Sequence, residues 1–211
     1  MKIAIAQLNP RVGDIPGNAR LIEDFARAAQ ALGADLAVFP ELALTGYPPL
    51  DLLEKKNFID ENLKALKALA ALKLGTAIAV GYVDRNPAKK GKPLHNSIAL
   101  IHGGRIAAVR HKSLLPTYDI FDEARYFEPA SENRPIKFKG AVIGLTICED
   151  IWAGTALLPN RLLYRANPAR TLCAAKASVL INISASPFYR GKGALRRKLL
   201  SWNGLGGDDD K

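Results

Sequence analysis

Short apolar runs recur along the chain, and each is bounded by glycine, proline or charged residues. They predict eight β-strands, because runs of this length that are rich in Val, Ile and Leu are typical of strands. Most of the runs are continuous rather than alternating, as expected of strands that are covered on both faces. The predicted strands span residues 2–8, 35–39, 76–83, 96–101, 105–109, 135–139, 140–147 and 178–183. His102-Gly103-Gly104 predicts a hairpin turn between the fourth and the fifth.

A first helix is predicted from Asn18 onward. Its apolar residues recur three and four positions apart, which is the spacing of one helical face. The residues expected to face the core are Leu21, Phe25, Ala28 and Leu32. Gly33 is expected to end the helix, because glycine readily adopts the left-handed conformation found after a helix C-terminus.

Two further helices are predicted from their capping residues. Asp51 is suited to an N-cap, with Glu54 at the capping-box position. The apolar face of that helix is expected to comprise Phe58, Ile59, Leu63, Leu66 and Leu69, with Lys55, Lys56, Lys64 and Lys67 in water. Asn167 followed by Pro168 predicts the start of another helix over residues 169–177.

Strands that alternate with helices, together with one hairpin, favour an α/β domain with a mixed sheet or two sheets. The length of 211 residues is that of one domain, with enough chain to bury a full core. We find no internal repeat, no low-complexity tract and no clear second domain in the composition.

The formal net charge of +10 is unevenly distributed. Residues 151–211 carry ten Lys and Arg against three Asp, whereas residues 1–150 carry 20 against 17 acids. The basic excess is densest at residues 190–198, where no aromatic residues are interleaved at a stacking spacing, so a solvated helical face is favoured over a nucleic-acid module. No nucleic-acid partner is therefore expected.

The sequence also bears on the compartment. No apolar run is long enough for a membrane span, and the first eight residues are too short and strand-like for a signal peptide. The two cysteines, Cys148 and Cys173, make no disulfide framework, and Cys173 is interpreted as a core residue. A reducing, cytoplasmic location without a membrane partner is expected.

Three residues of distinct chemistry stand just beyond predicted strands: Glu41, Lys112 and Cys148. In open α/β sheets, sites form in crevices beyond the C-terminal ends of strands. Each residue also has a plainer interpretation: an inert buried cysteine, a solvated loop acid and an exposed lysine after a hairpin. Spacing along the chain alone does not decide between the two.

The chemistry of the three side chains fits acyl transfer. A thiol attacks a carbonyl when a base takes its proton, and a carboxylate such as Glu41 can be that base. An ammonium such as Lys112, with a backbone N–H, can stabilise the oxyanion of the tetrahedral intermediate. The three histidines have no spacing that suggests a metal site or a Cys-His pair, and no metal or cofactor is expected in this chain.

Three motifs resemble those of the nitrilase, or carbon-nitrogen hydrolase, superfamily and follow in that family's order. They are FPELALTGYP at residues 39–48, HKSLLP at 111–116 and TICEDIW at 146–152. Three other stretches are similar to the glutaminase domain of glutamine-dependent NAD(+) synthetases. They are PPLDLL at residues 48–53, LPTYDIFDE at 115–123 and NISASPF at 182–188.

The resemblance implies a four-layer α-β-β-α sandwich that pairs with a second copy through its sheets. It implies Glu41 as general base, Lys112 as the lysine of the triad and Cys148 as the nucleophile that forms a γ-glutamyl thioester. Glutamine is the implied substrate, with ammonia passed to a separate ATP-dependent synthetase domain. The positions that match substrate contacts in the family are Glu123, beside the triad, Tyr118 and Ser186, at the α-amino and α-carboxylate ends, and Lys192.

The likeness covers residues 1–192, which are expected to form the hydrolase domain, with residues 193–211 a basic segment and an unrelated tail. No Ser-Gly-Gly-x-Asp-Ser pyrophosphate loop occurs, so ATP and Mg would belong to a synthetase domain outside this sequence. The C-terminal part of the sandwich is expected to be missing, as in a truncated chain. The stretch 154–165 is longer than the family's usual connection and predicts an extra helix or an interface. A free-standing amidase for another small amide and an inactive fragment remain the alternatives.

Overall fold

The computed structural model describes residues 1–153 and 164–204, and it contains two separate β-sheets. The larger sheet has the order β1-β2-β3-β4-β5, in which β1, β2 and β3 are parallel and β4 is antiparallel to both of its neighbours. Its strands are β1 (Ile3–Ile5), β2 (Leu36–Val38), β3 (Ala77–Arg85), β4 (Leu94–His102) and β5 (Arg105–His111). The predicted hairpin is therefore confirmed, as the β4–β5 pair.

The smaller sheet has the order β6-β7-β8, with β6 antiparallel and β8 parallel to the central β7. Its strands are β6 (Ile136–Phe138), β7 (Ala141–Ile147) and β8 (Val179–Ile183). Each of the eight predicted strands is thus present, with ends that differ by a few residues. Strand existence follows from the apolar runs, whereas strand ends depend on which backbone groups find a partner.

The two sheets pack face to face around an apolar layer drawn from both of them. Leu36, Ala79 and Leu100 of the larger sheet meet Ile143 and Ile181 of the smaller one in this layer. Residues from both sheets that are buried in it also include Val38, Ala77, Ile98, Phe138, Leu145, Ile147 and Ile183. Cys148 lies at the edge of the same layer, which places the thiol between the sheets.

Helices cover the outer faces of both sheets and complete the four layers. The helices are α1 (Ile15–Ala31), α2 (Lys56–Ala71), the single-turn α3 (Glu123–Tyr126), α4 (Pro168–Ala174) and α5 (Lys192–Gly204). Helices α1 and α2 pack on the larger sheet, and α4 packs on β7 and β8 and also contacts α5. The predicted α-β-β-α sandwich is confirmed for the described residues.

The predicted inward face of α1 is wrong. The helix begins at Ile15, three residues before the predicted start, and buries Ile15, Ile22 and Ala26, whereas Phe25 is 42% and Leu32 69% exposed. Asn18 sets this rotation, because its side chain donates to the carbonyls of Arg11 and Leu44 and accepts from the Arg11 N–H. Turning Phe25 inward would break these three hydrogen bonds, and buried polar groups are rarely left without partners.

The predicted start of α2 is also wrong, although its faces are confirmed. Residues Leu50–Glu54 form a separate 3₁₀ turn, and the extended backbone of Lys55 breaks the helix before Lys56. Asp51 therefore caps nothing in α2. Beyond that point the pattern is correct, since Ile59, Leu66 and Leu69 are buried and the four lysines are exposed.

The cap of α4 is confirmed, because the Asn167 side chain accepts from the backbone N–H of Arg170 at 3.0 Å. The predicted extra helix or interface at 154–165 lies mostly outside the described residues, as does the tail from residue 205. Within the described part of the chain, every helix is too short or too polar to traverse a lipid bilayer.

Strand direction explains why the candidate residues meet. Strand β5 runs parallel to β3, because both are antiparallel to β4, so the C-terminal ends of β2 and β5 lie at one edge of the larger sheet. Glu41 follows β2 and Lys112 follows β5 at that edge. Cys148 and Ser184 follow the parallel strands β7 and β8 of the smaller sheet.

Candidate active site

Cys148 occupies a sharp turn at the end of β7. Its backbone has a φ of +43°, and it opens a 3₁₀ turn that spans Cys148–Ile151. The residue is only 5% exposed. A non-glycine residue in this left-handed region is uncommon and is held there by its surroundings.

Asp150 is a main source of that restraint. One of its carboxylate oxygens accepts from the Ile147 N–H, and the other accepts from the N–H groups of Ser113 and Leu114, all at 2.9 Å. The carboxylate therefore joins the turn at Cys148 to the segment that directly follows Lys112. Burial raises the pKa of Asp150 to about 6, even though the three donors favour its ionised form.

Lys112 is buried between two carboxylates. Its ammonium donates to Glu41 at 2.8 Å and to both oxygens of Glu123 at 2.7 and 2.8 Å. Burial opposes a charge at this position, but Glu41 and Glu123 together hold the pKa of Lys112 well above its usual value. The side chain is therefore a fixed cation in the interior.

Glu41 is held by groups from three other elements. Its Oε1 accepts from Asn96 at 2.8 Å and from Lys112, and its Oε2 accepts from the backbone N–H of Ala185 at 2.9 Å. The backbone around it lies directly against β3, because a Cβ on Gly81 would come within 2.3 Å of the Leu42 nitrogen. Only glycine permits that approach, so Gly81 fixes how deeply Glu41 enters the site.

Glu123 is the second carboxylate on Lys112. Burial, with the nearby charge of Glu41, raises its pKa to about 7, although Lys112 and Tyr47 favour its ionised form. The phenol of Tyr47 donates to it at 2.9 Å, and Asn96 bridges from Glu41 to it at 2.8 and 3.4 Å. The Asn96 amide and the Lys112 ammonium thus each bridge the carboxylates of Glu41 and Glu123.

The thiol of Cys148 is neutral at rest. Burial, with the nearby charge of Glu41, raises its pKa to about 12, while Lys112 and a hydrogen bond from Ser184 act in the opposite direction. A neutral thiol needs a base to accept its proton as it attacks. Glu41 is close enough for its charge to affect the thiol, and its other contacts already fix its orientation.

A cavity of about 230 Å³ opens beside the thiol. Glu149 contributes a carboxylate that is almost fully buried, and Lys192 contributes an ammonium. The cavity is lined by Tyr118, Asp119, Phe121, Cys148, Glu149, Trp152, Ser186, Pro187, Tyr189 and Lys192. It therefore offers one buried carboxylate, Glu149, and one ammonium, Lys192, beside a nucleophile, while the second carboxylate of the lining, Asp119, is exposed to solvent.

The two charged groups are oriented by their neighbours. Glu149 accepts from the phenols of Tyr118 at 2.8 Å and Tyr164 at 2.9 Å. Burial, with the carboxylate of Glu149, raises the pKa of Tyr118, which keeps its hydroxyl a donor. Lys192 donates to the Ser186 hydroxyl and to the Pro187 carbonyl.

The structure brings the seven residues predicted from the sequence to one place. Glu41, Lys112 and Glu123 form one hydrogen-bonded cluster, and Cys148 lies beside it. Tyr118, Ser186 and Lys192 line the adjacent cavity with Cys148.

Sequence reasoning missed several residues of the site, among them Asn96, Asp150, Glu149 and Ser184. Glu149 had a signal, since it directly follows Cys148, but it was interpreted only as an acid suited to a turn. Ser184 lies in the stretch 182–188 quoted for the resemblance, but it was given no role, and Asn96 had no signal, because the contacts of both are with residues distant in sequence.

Two interpretations from the sequence are corrected here. The basic segment 190–198 is not simply a solvated face, because Lys192 and Arg196 are half-buried and face the site. Its other basic residues, Arg190, Arg197 and Lys198, are exposed as predicted. Helical spacing puts residues four apart on one side, which explains why Lys192 and Arg196 face inward together. Cys173 is partly exposed on α4 rather than a core residue.

Two of the three histidines form a separate feature. His95 and His111 stack with ring centroids 4.0 Å apart, and Ser97 contacts His111 Nδ1 at 2.7 Å. Burial lowers the pKa of His111 to about 4. Among the described residues, no group of His, Cys, Asp and Glu is arranged to hold a metal ion.

Comparison with known proteins agrees with this geometry. Residues 2–202 match the carbon-nitrogen hydrolase family. The chain is 41% identical to the glutamine-dependent NAD(+) synthetase of Synechocystis sp. over 99% of its length, and 38% identical to that of Thermotoga maritima over 95%. It spans only 40% and 33% of those two relatives.

Solved structures show the same similarity. The glutamine-dependent NAD(+) synthetase of Acinetobacter baumannii superposes with a TM-score of 0.82 at 31% identity, over 94% of this chain and 35% of that one. An amidase of the nitrilase superfamily from Nesterenkonia shares the fold, with a TM-score of 0.78 at 22% identity, over 97% of this chain and 73% of the amidase. The chain belongs to the carbon-nitrogen hydrolase family.

Proposed function

We propose that this chain hydrolyses the side-chain amide of glutamine and releases ammonia. The single observation that carries the proposal is the cavity, in which a buried carboxylate and an ammonium stand beside Cys148. An α-amino acid carries the complementary pair of charges at one end. The relatives, which are named for their dependence on glutamine, support the same substrate.

In this proposal the carboxylate of Glu149, oriented by Tyr118 and Tyr164, receives the α-ammonium of glutamine. Lys192 and Ser186 bind the α-carboxylate, with their mutual hydrogen bond holding both groups in position. Charge-assisted hydrogen bonds of this kind are the strong ones in a partly desolvated cavity. The side-chain amide then extends toward Cys148.

The first chemical step forms the thioester. The sulfur of Cys148 attacks the amide carbon as Glu41 takes the thiol proton, and the carbonyl oxygen becomes an oxyanion beside the Lys112 ammonium. When the intermediate collapses, the C–N bond breaks and the proton held by Glu41 goes to the leaving nitrogen. Ammonia departs, and a γ-glutamyl thioester remains on Cys148.

The second step restores the enzyme. Glu41 takes a proton from a water molecule, whose oxygen attacks the thioester carbon, and Lys112 again stabilises the oxyanion. Collapse breaks the C–S bond, the sulfur regains a proton from Glu41, and glutamate leaves. No step requires a metal or a redox cofactor. Glu123 stays bound to Lys112 throughout and keeps the ammonium in place.

The fate of the ammonia concerns the longer proteins that this chain resembles. Since the chain spans about a third of those relatives, we propose that it represents their ammonia-supplying part and that NAD(+) synthesis consumes the product elsewhere. A homo-oligomer and a cytoplasmic location are also part of this proposal, by resemblance to the family.

Ammonia release from glutamine by the purified protein tests the proposal. We expect glutamate and ammonia in equal amounts, with no release by Cys148→Ala. The matched control is Cys173→Ala, which removes the other cysteine and should leave activity intact. A folded wild-type protein that hydrolyses other small amides but not glutamine would contradict the proposed substrate. One that hydrolyses none would contradict the activity.

A further inference from the structure

Arg196 of α5 contacts two residues that both contact Cys148. Its Nη1 donates to the Ser184 hydroxyl at 3.0 Å, and its Nη2 donates to the Asn182 side-chain carbonyl at 3.3 Å. Ser184 in turn donates to the sulfur of Cys148 at 3.2 Å, and Asn182 donates to the backbone carbonyl of Cys148 at 3.4 Å. The guanidinium therefore reaches the nucleophile by two routes, each through one intervening side chain.

The direction of the hydrogen bonds matters for the chemistry. A serine hydroxyl has one proton to donate, and it can otherwise act as an acceptor. Arginine can only donate, so the bond from Arg196 takes one of the two lone pairs of the Ser184 oxygen and favours the orientation in which the hydroxyl proton points at the sulfur. Without Arg196 the hydroxyl would be free to rotate and to accept from the thiol instead.

The fork shape of the guanidinium also fits this position. Two parallel N–H groups match two acceptors at the end of β8, which a lysine ammonium cannot match in the same way. Asn182 uses its own amide to donate to Thr146 at 3.1 Å, so it is fixed on β7 as well. The hydrogen bonds of Arg196, Asn182 and Ser184 thus connect α5, β8 and the end of β7 around Cys148.

We propose that Arg196 is a positioning residue for the nucleophile, which acts through Ser184 to stabilise negative charge on the Cys148 sulfur. This inference rests on the proposed role of Cys148 as the nucleophile. Arg196 does not line the cavity beside Cys148. Its effect is on the sulfur as it loses its proton, both in forming the thioester and in leaving from it.

Alkylation of Cys148 by iodoacetamide tests the inference without using glutamine. The rate is followed by mass spectrometry of the Cys148 peptide between pH 6 and about pH 9.5, which lies below the raised pKa of the thiol. In that range the rate reflects the fraction of thiolate. The titratable groups that also act on the sulfur are Glu41, Lys112, Glu123, Tyr118 and Lys192, and all are retained in every variant.

Arg196→Gln and Ser184→Ala are each expected to slow alkylation roughly tenfold at every pH in that range, as the loss of a hydrogen bond to a charged group would. The double variant is expected to be no slower than Ser184→Ala alone, because Arg196 acts through Ser184. Arg197→Gln, which removes the same charge from the exposed next position, should not change the rate.

Arg196→Lys separates positioning from mere packing of α5, and it also serves if Arg196→Gln does not fold. Lysine keeps the positive charge but lacks the two parallel N–H groups of the guanidinium, so we expect an intermediate alkylation rate with an unchanged melting temperature. An unchanged rate in a folded Arg196→Gln or Arg196→Lys protein would overturn the inference, and so would rate losses that add in the double variant. Failure of the proposed function would look different: no ammonia from glutamine, with the alkylation series intact.

Discussion

The site has two halves that are built in opposite ways. Around Lys112, the groups are buried and bonded to one another: Glu41, Glu123 and Asn96 are at most 5% exposed, and only the Asn96 Oδ1 among their side-chain atoms is buried without a partner. Around the cavity, Tyr118 is 43% exposed and Tyr189 49%. Lys192 lies between these extremes and is partly buried.

The difference corresponds to two tasks. Charge stabilisation during a reaction is most effective when dipoles and ions are fixed beforehand in a dry interior. Recognition of a substrate requires an opening through which it can enter, so its groups must lie nearer to water. The first half should therefore tolerate little change in either stability or rate, whereas changes in the second should affect mainly substrate binding.

The largest effect is expected from Lys112→Met. It leaves two buried carboxylates without their cation, which should destabilise the fold by about 3–5 kcal/mol and abolish activity. Chemical denaturation and an ammonia assay measure the two effects. Lys67→Met removes an exposed lysine from α2 and is the matched control, with little expected change. Normal stability in Lys112→Met would contradict the idea that this half is held together by one shared charge.

Glu123→Gln addresses the pH dependence of the same half. The folded-state pKa of Glu123 is raised from 4.5 to about 7, so its contribution to stability is fully present below pH 4.5 and is lost as the pH rises through 7. Relative to the glutamine variant, the wild type should lose about 3 kcal/mol of unfolding free energy between pH 4.5 and 8. Denaturation of both proteins across this range measures the loss, and parallel curves would show that the pKa of Glu123 is not raised.

Glu149→Gln should act on substrate binding. The change removes the negative charge but keeps the size, so we expect KM for glutamine to rise about 10- to 100-fold, as for a lost charge-assisted hydrogen bond. A small amide without an α-ammonium should be hydrolysed by both proteins with similar kinetics. Equal losses for both substrates would instead assign Glu149 to the turn at Cys148.

Lys192→Gln should have the smallest effect. Because the side chain is partly solvated, its loss should raise KM by only about fivefold or less and leave kcat nearly unchanged. Burial lowers the pKa of Lys192, so in the wild type KM should begin to rise at a lower pH than an ordinary lysine would give, and this rise should be absent in the variant. Steady-state kinetics between pH 7 and pH 10 measure both. Lys198→Gln, on the exposed side of α5, is the control.

The sequence predicted correctly those features whose physical cause lies within a short stretch of chain. The cap of α4 was correct because Asn167 and Arg170 are three residues apart. The strands were correct because an apolar run is itself the cause of burial. Glu41, Lys112 and Cys148 were identified as candidates because each follows such a run and lies in a motif of its own.

The failures have long-range causes. The rotation of α1 depends on Asn18 and the carbonyl of Leu44, which are 26 positions apart. The bridge from Asn96 to Glu41 spans 55 positions, and the contact of Ser184 with Cys148 spans 36. Such contacts form only when the fold brings distant segments of the chain together, so no local pattern in the sequence predicts them.

The three backbone hydrogen bonds of Asp150 have a consequence for how the protein can change. They connect the turn at Cys148 to the segment that follows Lys112, so the distance between these two segments is kept when residues of the cavity wall are replaced. Tyr118, Tyr189 and Lys192 belong to that wall and take no part in this connection. Substitutions in the cavity wall can therefore adapt the site to a new amide substrate without changing the distance between the Cys148 sulfur and the Lys112 ammonium.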